Sequence, residues 1–509
     1  MGDNDDAENN ESVPDTRGKA VQSTLANTIL DLLEKFPPSG IDPPWSTDRH
    51  DSKPWHWGEP EPENATDLLS LDQHEIIKMK RAHRGFIGSA DYRLPKYVPH
   101  SYAGAKEAAA ASSTPRRGIV TVGGGKYFVI LAVSLRFLRR SGTTLPVEVF
   151  VTEAEYEKKI CEDVLPKLNA ICRVYPQLGV ENKQIQGFQL KTFALLFSTF
   201  DEILFLDADN SAMRDVEPLF KSEPFQKTGL VTWPDYWQTT VSPLYYEIAS
   251  AATTPIAIPV TARPSTETGQ LLIDKQRHWK TLLLATYYNF YGPKFYYRLL
   301  NQGFTGMGDK ETFLPAAAVF GLPAYQVHTP IERVGHRFED NSTGGRVNVQ
   351  YDPIDDWAVT AAAEHSFTQD GAVLPKNEDE WKAQYRDVRP LFLHTNWPKW
   401  DPVNLLGHIS KWSDMTQGVD GHPEPAFHWP VELAAQIKGT ERMMWEEARW
   451  VACHLNHNRL RHWHNNQQAE RMCERLNDHF AQVLDTEVGE RIGLGPKDVL
   501  YPGLPDFDV

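Results

Sequence analysis

The chain has 509 residues, of which 41% are hydrophobic and 24% charged, with a formal net charge of −16. That composition excludes a fibrous or wholly disordered chain, and the length argues for one large domain with additions rather than one compact core. The acidic balance excludes a broad nucleic-acid or anionic-membrane surface, which would need clustered Lys and Arg, so small or neutral ligands are expected.

Residues 1–18 begin MGDNDDAENNE, acidic and polar, and are expected to be disordered. The start lacks the basic residues of a signal peptide, and nowhere do about 18 apolar residues run together. Any membrane anchor is therefore expected outside this sequence. Val21, Leu25, Ile29, Leu32, Leu33 and Phe36 predict a helical face ending at Pro37-Pro38, and a second amphipathic helix is expected from about Leu71 to Arg84. AGAKEAAAASSTPRR reads as a linker that closes an N-terminal helical region over 19–117.

From Gly118 the pattern changes to GIVTV, Phe128 to Arg140, VEVFV, Glu153 to Leu165, ICRVY, Phe188 to Phe200 and ILFLD. Strands alternating with helices predict an α/β class with a mostly parallel sheet, and 118–430 reads as the main domain. Beyond about residue 330 the pattern weakens into loops and a few short strands. A helical extension over 431–509 carries the stretches Val431 to His457 and Gln467 to Leu484. Cys453 and Cys473 on these stretches could pair or stay as buried thiols, and Cys161 with Cys172 is equally open. Asn64 and Asn341 head glycosylation acceptors, which matter only in a secretory lumen.

ILFLDADN carries the strongest chemical signal, since four apolar residues deliver Asp207 and Asp209 to the end of a buried strand. Strand alternation would put both carboxylates on one side, where their repulsion calls for a cation such as Mn²⁺ or Mg²⁺. LFLHTNWPKW likewise ends an apolar run with His394, a candidate third ligand, followed by Lys399 as a point charge for a diphosphate. Gly123, Gly124 and Gly125 follow the first strand, where bare backbone N–H groups can approach a nucleotide. Ligands of such sheets lie beyond the carboxyl ends of the strands, so the two motifs converge.

NQGFTGMGDKETF is a glycine-rich loop leading into a helix expected from about Asp309. Asp309 and Glu311 are either ordinary helix-start acids or carboxylates aimed at a sugar's anomeric carbon. WPDYW supplies Trp233, Asp235 and Trp237, and STETGQLLIDK supplies Gln270, as candidates for an acceptor groove or for core packing. A hydrolase or nucleotidyltransferase using the same carboxylates, and a non-catalytic carbohydrate-binding protein, are the rival readings.

GGGKY, SLRFLRRSGTTLPVEVF, LPKLNA, LKTFALLFSTFDEILFLDADN, WPDYW, TGQLLIDK, YYNFYGP and QGFTGMGDKETF resemble, in that order, the fungal Golgi α-mannosyltransferases that add α-1,2-linked branches to mannan. The resemblance implies a GT-A fold, GDP-mannose as donor, Mn²⁺ as cofactor, a mannose-containing oligosaccharide or mannoprotein as acceptor, retention of configuration and a type II Golgi anchor. It implies that Asp207 and Asp209 hold metal and diphosphate, that Lys191 joins the donor-binding residues, and that Asp309 and Glu311 lie near the reacting centre. A looser similarity to glycogenin-like retaining transferases implies the roles of His394 and Lys399. There the Lys usually follows the His by six residues, whereas here it follows by five.

Overall fold

The computed structural model describes residues 16–38, 49–55, 67–94, 115–176, 185–250, 263–337, 343–370, 377–397, 399–406, 422, 424–437, 439–455, 460–464 and 466–485. Residues 1–15 of the expected acidic tail, most of the linker, Asn64 and Asn341 lie outside them, whereas Thr16 to Gly18, expected to be disordered, open the helix Thr16–Lys35.

A seven-stranded sheet holds β1 (Arg117–Val122), β2 (Val147–Val151), β3 (Ala170–Val174), β4 (Glu202–Leu206), β6 (Leu230–Gln238), β7 (Pro264–Asp274) and β8 (Tyr325–Gln326) in the order β3-β2-β1-β4-β7-β6-β8. The β3-β2-β1-β4 half and the β6-β8 pair are parallel, while β7 runs antiparallel to both β4 and β6. The α/β class read from the sequence is the one the chain adopts.

Alternation along these strands divides the core in two. Val147, Val149, Leu204 and Leu206 point to one face, with the Tyr127–Arg140 helix and the Thr440–His454 helix. Phe150, Ile203 and Phe205 point to the other, with the Gln189–Phe197 and Lys275–Phe290 helices. Leu25, Ile29, Leu32, Leu33, Ile76, Met79 and Phe86 join this second cluster, so both N-terminal helices pack on that side, the second of them against the Pro243–Ala249 helix and Tyr287 of the Lys275–Phe290 helix. The second of these runs Gln73–Arg93, nine residues past the expected end, and starts at a capping box between Asp72 and Glu75.

Four expected elements differ, the first being Val431 to His457, which is two helices, Val431–Gln436 and Thr440–His454, with Ile437 and Gly439 in non-helical conformations between them. Glu153 to Leu165 is no continuous helix: Tyr156 is extended after a 3₁₀ turn at Glu153–Glu155, then a π-type turn spans Lys159–Val164 and a second 3₁₀ turn Leu165–Leu168. Gln467 to Leu484 breaks at Arg471 and turns π-type from Phe480. The weakly patterned region after 330 contributes β9 (Glu332–Arg337), β10 (Thr343–Tyr351) and β11 (Pro390–Trp397), which with β5 (Asn210–Ala212) form a four-stranded antiparallel sheet in the order β5-β11-β10-β9. Cys161 is bonded to Cys172 and Cys453 to Cys473, settling the pairing that the sequence leaves open. Among the described residues no helix is long and apolar enough to cross a membrane.

Candidate functional site

The chain leaves β4 at Leu206 and enters β5 at Asn210, so Asp207 to Asp209 form the turn joining the two sheets. Asp207 N–H donates to Gly269 O at 2.8 Å, and Asn210 N–H closes the turn on Asp207 O at 2.9 Å. Thr395 clamps the other side, its N–H and its hydroxyl both donating to Asp209 O. This turn, rather than the strand alternation expected, brings the two carboxylates together. β11 pairs His394 with Asn210, and one ligand atom each from Asp207, Asp209 and His394 lies within 4.8 Å of the others. Two carboxylates and an imidazole form a donor set that suits a divalent ion of the Mn²⁺ or Mg²⁺ kind.

Cationic side chains surround the turn. Lys399 Nζ bonds Asp209 Oδ2, so the five-residue spacing from His394 still brings it to the same carboxylate. Lys191 Nζ lies 3.3 Å from Asp207 Oδ1 and 2.9 Å from Asp309 Oδ2, and donates to Thr268 O at 2.7 Å. Burial, together with Asp209, raises the pKa of Asp207 against the pull of Lys191. For Asp209 burial acts in the same upward sense, but His394 and Lys399 hold it well below the usual carboxylate range. Burial would lower the His394 pKa, yet Glu267 and Asp209 on its two nitrogens raise it to about 10. Asp209 is thus held in its ionised form, whereas burial and the neighbouring Asp209 work against the charge on Asp207.

A cavity of about 420 Å³ opens over this centre, lined among others by Lys191, Asp207, Asp235, Trp237, Asp309 and His394. Asp309 precedes its helix, which starts only at Phe313, because Thr312 closes a turn by donating N–H and hydroxyl to Asp309 O. Its carboxylate therefore faces Lys191 and the Thr268 hydroxyl instead of capping a helix. Asp235 holds Lys310 Nζ at 2.9 Å on the opposite wall, beside Trp237 and Tyr236, whose ring carries the Arg333 guanidinium at 4.5 Å.

Other expected residues stand elsewhere. Glu311 is buried in a pair with Arg263 at 2.7 Å and accepts from Thr266 N at 2.8 Å, outside the cavity lining. Trp233 is fully buried, its Nε1 donating to Tyr351 O and its ring edge-on to Phe392, so it packs core rather than a groove. Gln270 is buried too, bonded to Glu267 and Asn210. Gly123, Gly124 and Gly125 lie at the end of β1 beside β4; Gly124 and Gly125 have φ of 107° and 53° and turn toward Glu155, and none of the three lines the cavity. Reading by motif missed Glu267, Thr268, Lys310, Arg333 and Asn348 in the site. For the first two a signal existed: a central strand reading STETGQ is polar where neighbours are apolar, yet it is buried throughout.

Residues 116–352 match the family model described as "Mannosyltransferase putative". The chain is 36% identical over 387 residues to alpha-1,2-mannosyltransferase MNN24 of Candida albicans, covering 65% of this chain and 52% of that protein. It is 33% identical over 398 residues to MNN2 of Saccharomyces cerevisiae, covering 68% and 66%, and 31% identical over 456 residues to MNN23 of Candida albicans, covering 79% and 72%. It thus spans about half the length of the first of these and two thirds of the second. Among solved structures, the glycosyltransferase GlyE of Streptococcus pneumoniae aligns at 14% identity and a TM-score of 0.29, covering 42% of this chain and 46% of that one. The galactosyltransferase LgtC with donor and acceptor sugar analogs aligns at 12% identity and a TM-score of 0.27, covering 44% and 76%.

Proposed function

This chain belongs to the family of fungal α-1,2-mannosyltransferases, and from that premise we propose that it moves mannose from GDP-mannose to a hydroxyl of a mannose-containing glycan. The carrying observation is the convergence of Asp207, Asp209 and His394 on one point at the floor of a cavity. We read the two-sheet architecture around that point as the GT-A arrangement. Asp207, Asp209 and His394 would hold Mn²⁺ or Mg²⁺, which supplies neutralisation of the leaving diphosphate.

The chain's own residues do the rest. Lys399 offers a second positive charge for the diphosphate, within reach of Asp209. Lys191 holds Asp309 and Asp207 together, which fixes the Asp309 carboxylate beside the metal turn. A carboxylate there stabilises the positive charge that develops at the anomeric carbon as its bond to the diphosphate breaks. Asp235, Lys310 and Trp237 form the far wall, where an acceptor sugar finds hydrogen-bonding groups and an aromatic face.

The two disulfides support residence in an oxidising compartment, in keeping with a Golgi lumen. Mass spectrometry of GDP-mannose incubated with the protein, Mn²⁺ and a mannan oligosaccharide tests the proposal. Acceptor lengthened by one hexose is the expected result. Free mannose or mannose phosphate in its place would favour the hydrolase reading, and unchanged reactants would refute transfer.

A further inference from the structure

We propose that Glu267 is the positioning residue of the metal centre, holding His394 by Nδ1 so that Nε2 is presented to Asp207 and Asp209. The inference rests on the reading of those three residues as metal ligands. An imidazole has two nitrogens, and whichever is fixed by a carboxylate leaves the other to face a metal with its lone pair.

The geometry around Glu267 meets that requirement from several strands. Its Oε1 is bonded to His394 Nδ1, while His394 Nε2 lies 3.4 Å from Asp209 Oδ1. Its Oε2 accepts from Gln350 Nε2 of β10 at 2.6 Å and from Gln270 Nε2 of its own strand at 3.3 Å. The carboxylate therefore has no rotational freedom, and Glu267 is only 6% exposed. Among the described residues no Lys or Arg forms an ion pair with it, and its close partners are the imidazole and the two amide groups. Burying a carboxylate is costly unless its oxygens are hydrogen-bonded, and here the bonds that offset the cost also fix the imidazole.

Gly269 supplies the independent observation. It is not among the residues with positive φ, so its backbone would accept a side chain. A Cβ there would nevertheless sit 2.3 Å from His394 Nδ1 and 2.5 Å from Glu267 Oε1. Glycine is required at this point by the space that the Glu267–His394 pair occupies, not by the chain's path.

The test is Mn²⁺ affinity without nucleotide, read by electron paramagnetic resonance of free Mn²⁺, in Glu267→Gln, Gly269→Ala, His394→Ala and the Glu267→Gln/His394→Ala double variant, with thermal unfolding alongside. Glu267→Gln keeps the shape and should weaken Mn²⁺ binding roughly 10- to 100-fold while leaving the melting of the metal-free protein close to wild type. Gly269→Ala should weaken it too, by displacing the Glu267–His394 pair of side chains. In the His394→Ala background Glu267→Gln should cost nothing more, because its effect runs through the imidazole. Wild-type affinity in Glu267→Gln, or a loss that adds in full to that of His394→Ala, overturns the proposal while the metal centre stands. Wild-type protein that binds no Mn²⁺ overturns both.

Discussion

Asp309 and Glu311 are two residues apart, and their surroundings divide their work. Glu311 is locked to Arg263 and a backbone N–H, which makes it a structural anchor, whereas Asp309 looks into the cavity from between Lys191 and Thr268. Asp309→Asn should therefore leave GDP and Mn²⁺ affinity at the wild-type level while lowering transfer by ~10²-fold or more, the mark of an interaction made in the transition state. Calorimetry of GDP binding beside a rate assay checks it. The two tryptophans of WPDYW divide similarly. Trp237→Ala should raise the KM for acceptor with unfolding unchanged, whereas Trp233→Ala should cost ~3–5 kcal/mol of stability because it empties a filled core site. Urea unfolding and acceptor kinetics on the pair separate the roles. At this scale the sequence made Asp207, Asp209 and His394 legible because each ends an apolar run. Glu267 was not, since nothing in STETGQ tells which of its polar side chains a distant histidine will meet.

The helices and strands were legible where periodicity was strong and local. VEVFV and ILFL are buried along their whole length, and the Tyr127–Arg140 helix starts one residue before the expected Phe128 and ends at the expected Arg140. The second sheet was not, because β5 is three residues long and owes its existence to pairing with β11. Long-range contact of that kind leaves no periodic trace. Contact between the Tyr127–Arg140 and Thr440–His454 helices is another case. Arg136 is bonded to Glu447 and lies 3.7 Å over the Trp450 ring, with both charged side chains 4% exposed. Arg136→Met should destabilise by ~1–3 kcal/mol, because Glu447 then keeps only Arg140 of its two guanidinium partners, and Arg136→Met/Glu447→Leu, which takes a partner from Arg140 as well, should cost more still. Denaturant midpoints of the two variants decide the point.

Across the whole molecule the N-terminal helices cover one face of the main sheet and the C-terminal helices the other, so stability is shared among distant segments. Glu441 ties two of them, accepting from Ala426 N at 2.6 Å and Trp445 Nε1 at 3.2 Å, and burial pushes its pKa from 4.5 up to about 7. Between those values the folded chain holds a proton that the unfolded chain has released. Its contribution therefore falls as pH rises from 4.5 to 7, by at most about 1.4 kcal/mol per unit, and levels off above. Melting temperatures over that range should decline more steeply for wild type than for Glu441→Gln. The turn that joins the two sheets has a consequence in time. Asp209 and Lys399 are 190 residues apart, so at ~5–20 residues per second a ribosome delivers the first roughly 10–40 s before the second. Until β11 arrives, the paired carboxylates have neither His394 nor Lys399 beside them, and the Thr395 clamp on Asp209 is missing. Pulse-labelled hydrogen exchange during refolding should find the Thr395 amide protected later than those of β1 and β2, which makes ligand-binding competence a late checkpoint in the birth of the chain rather than a property of its first sheet.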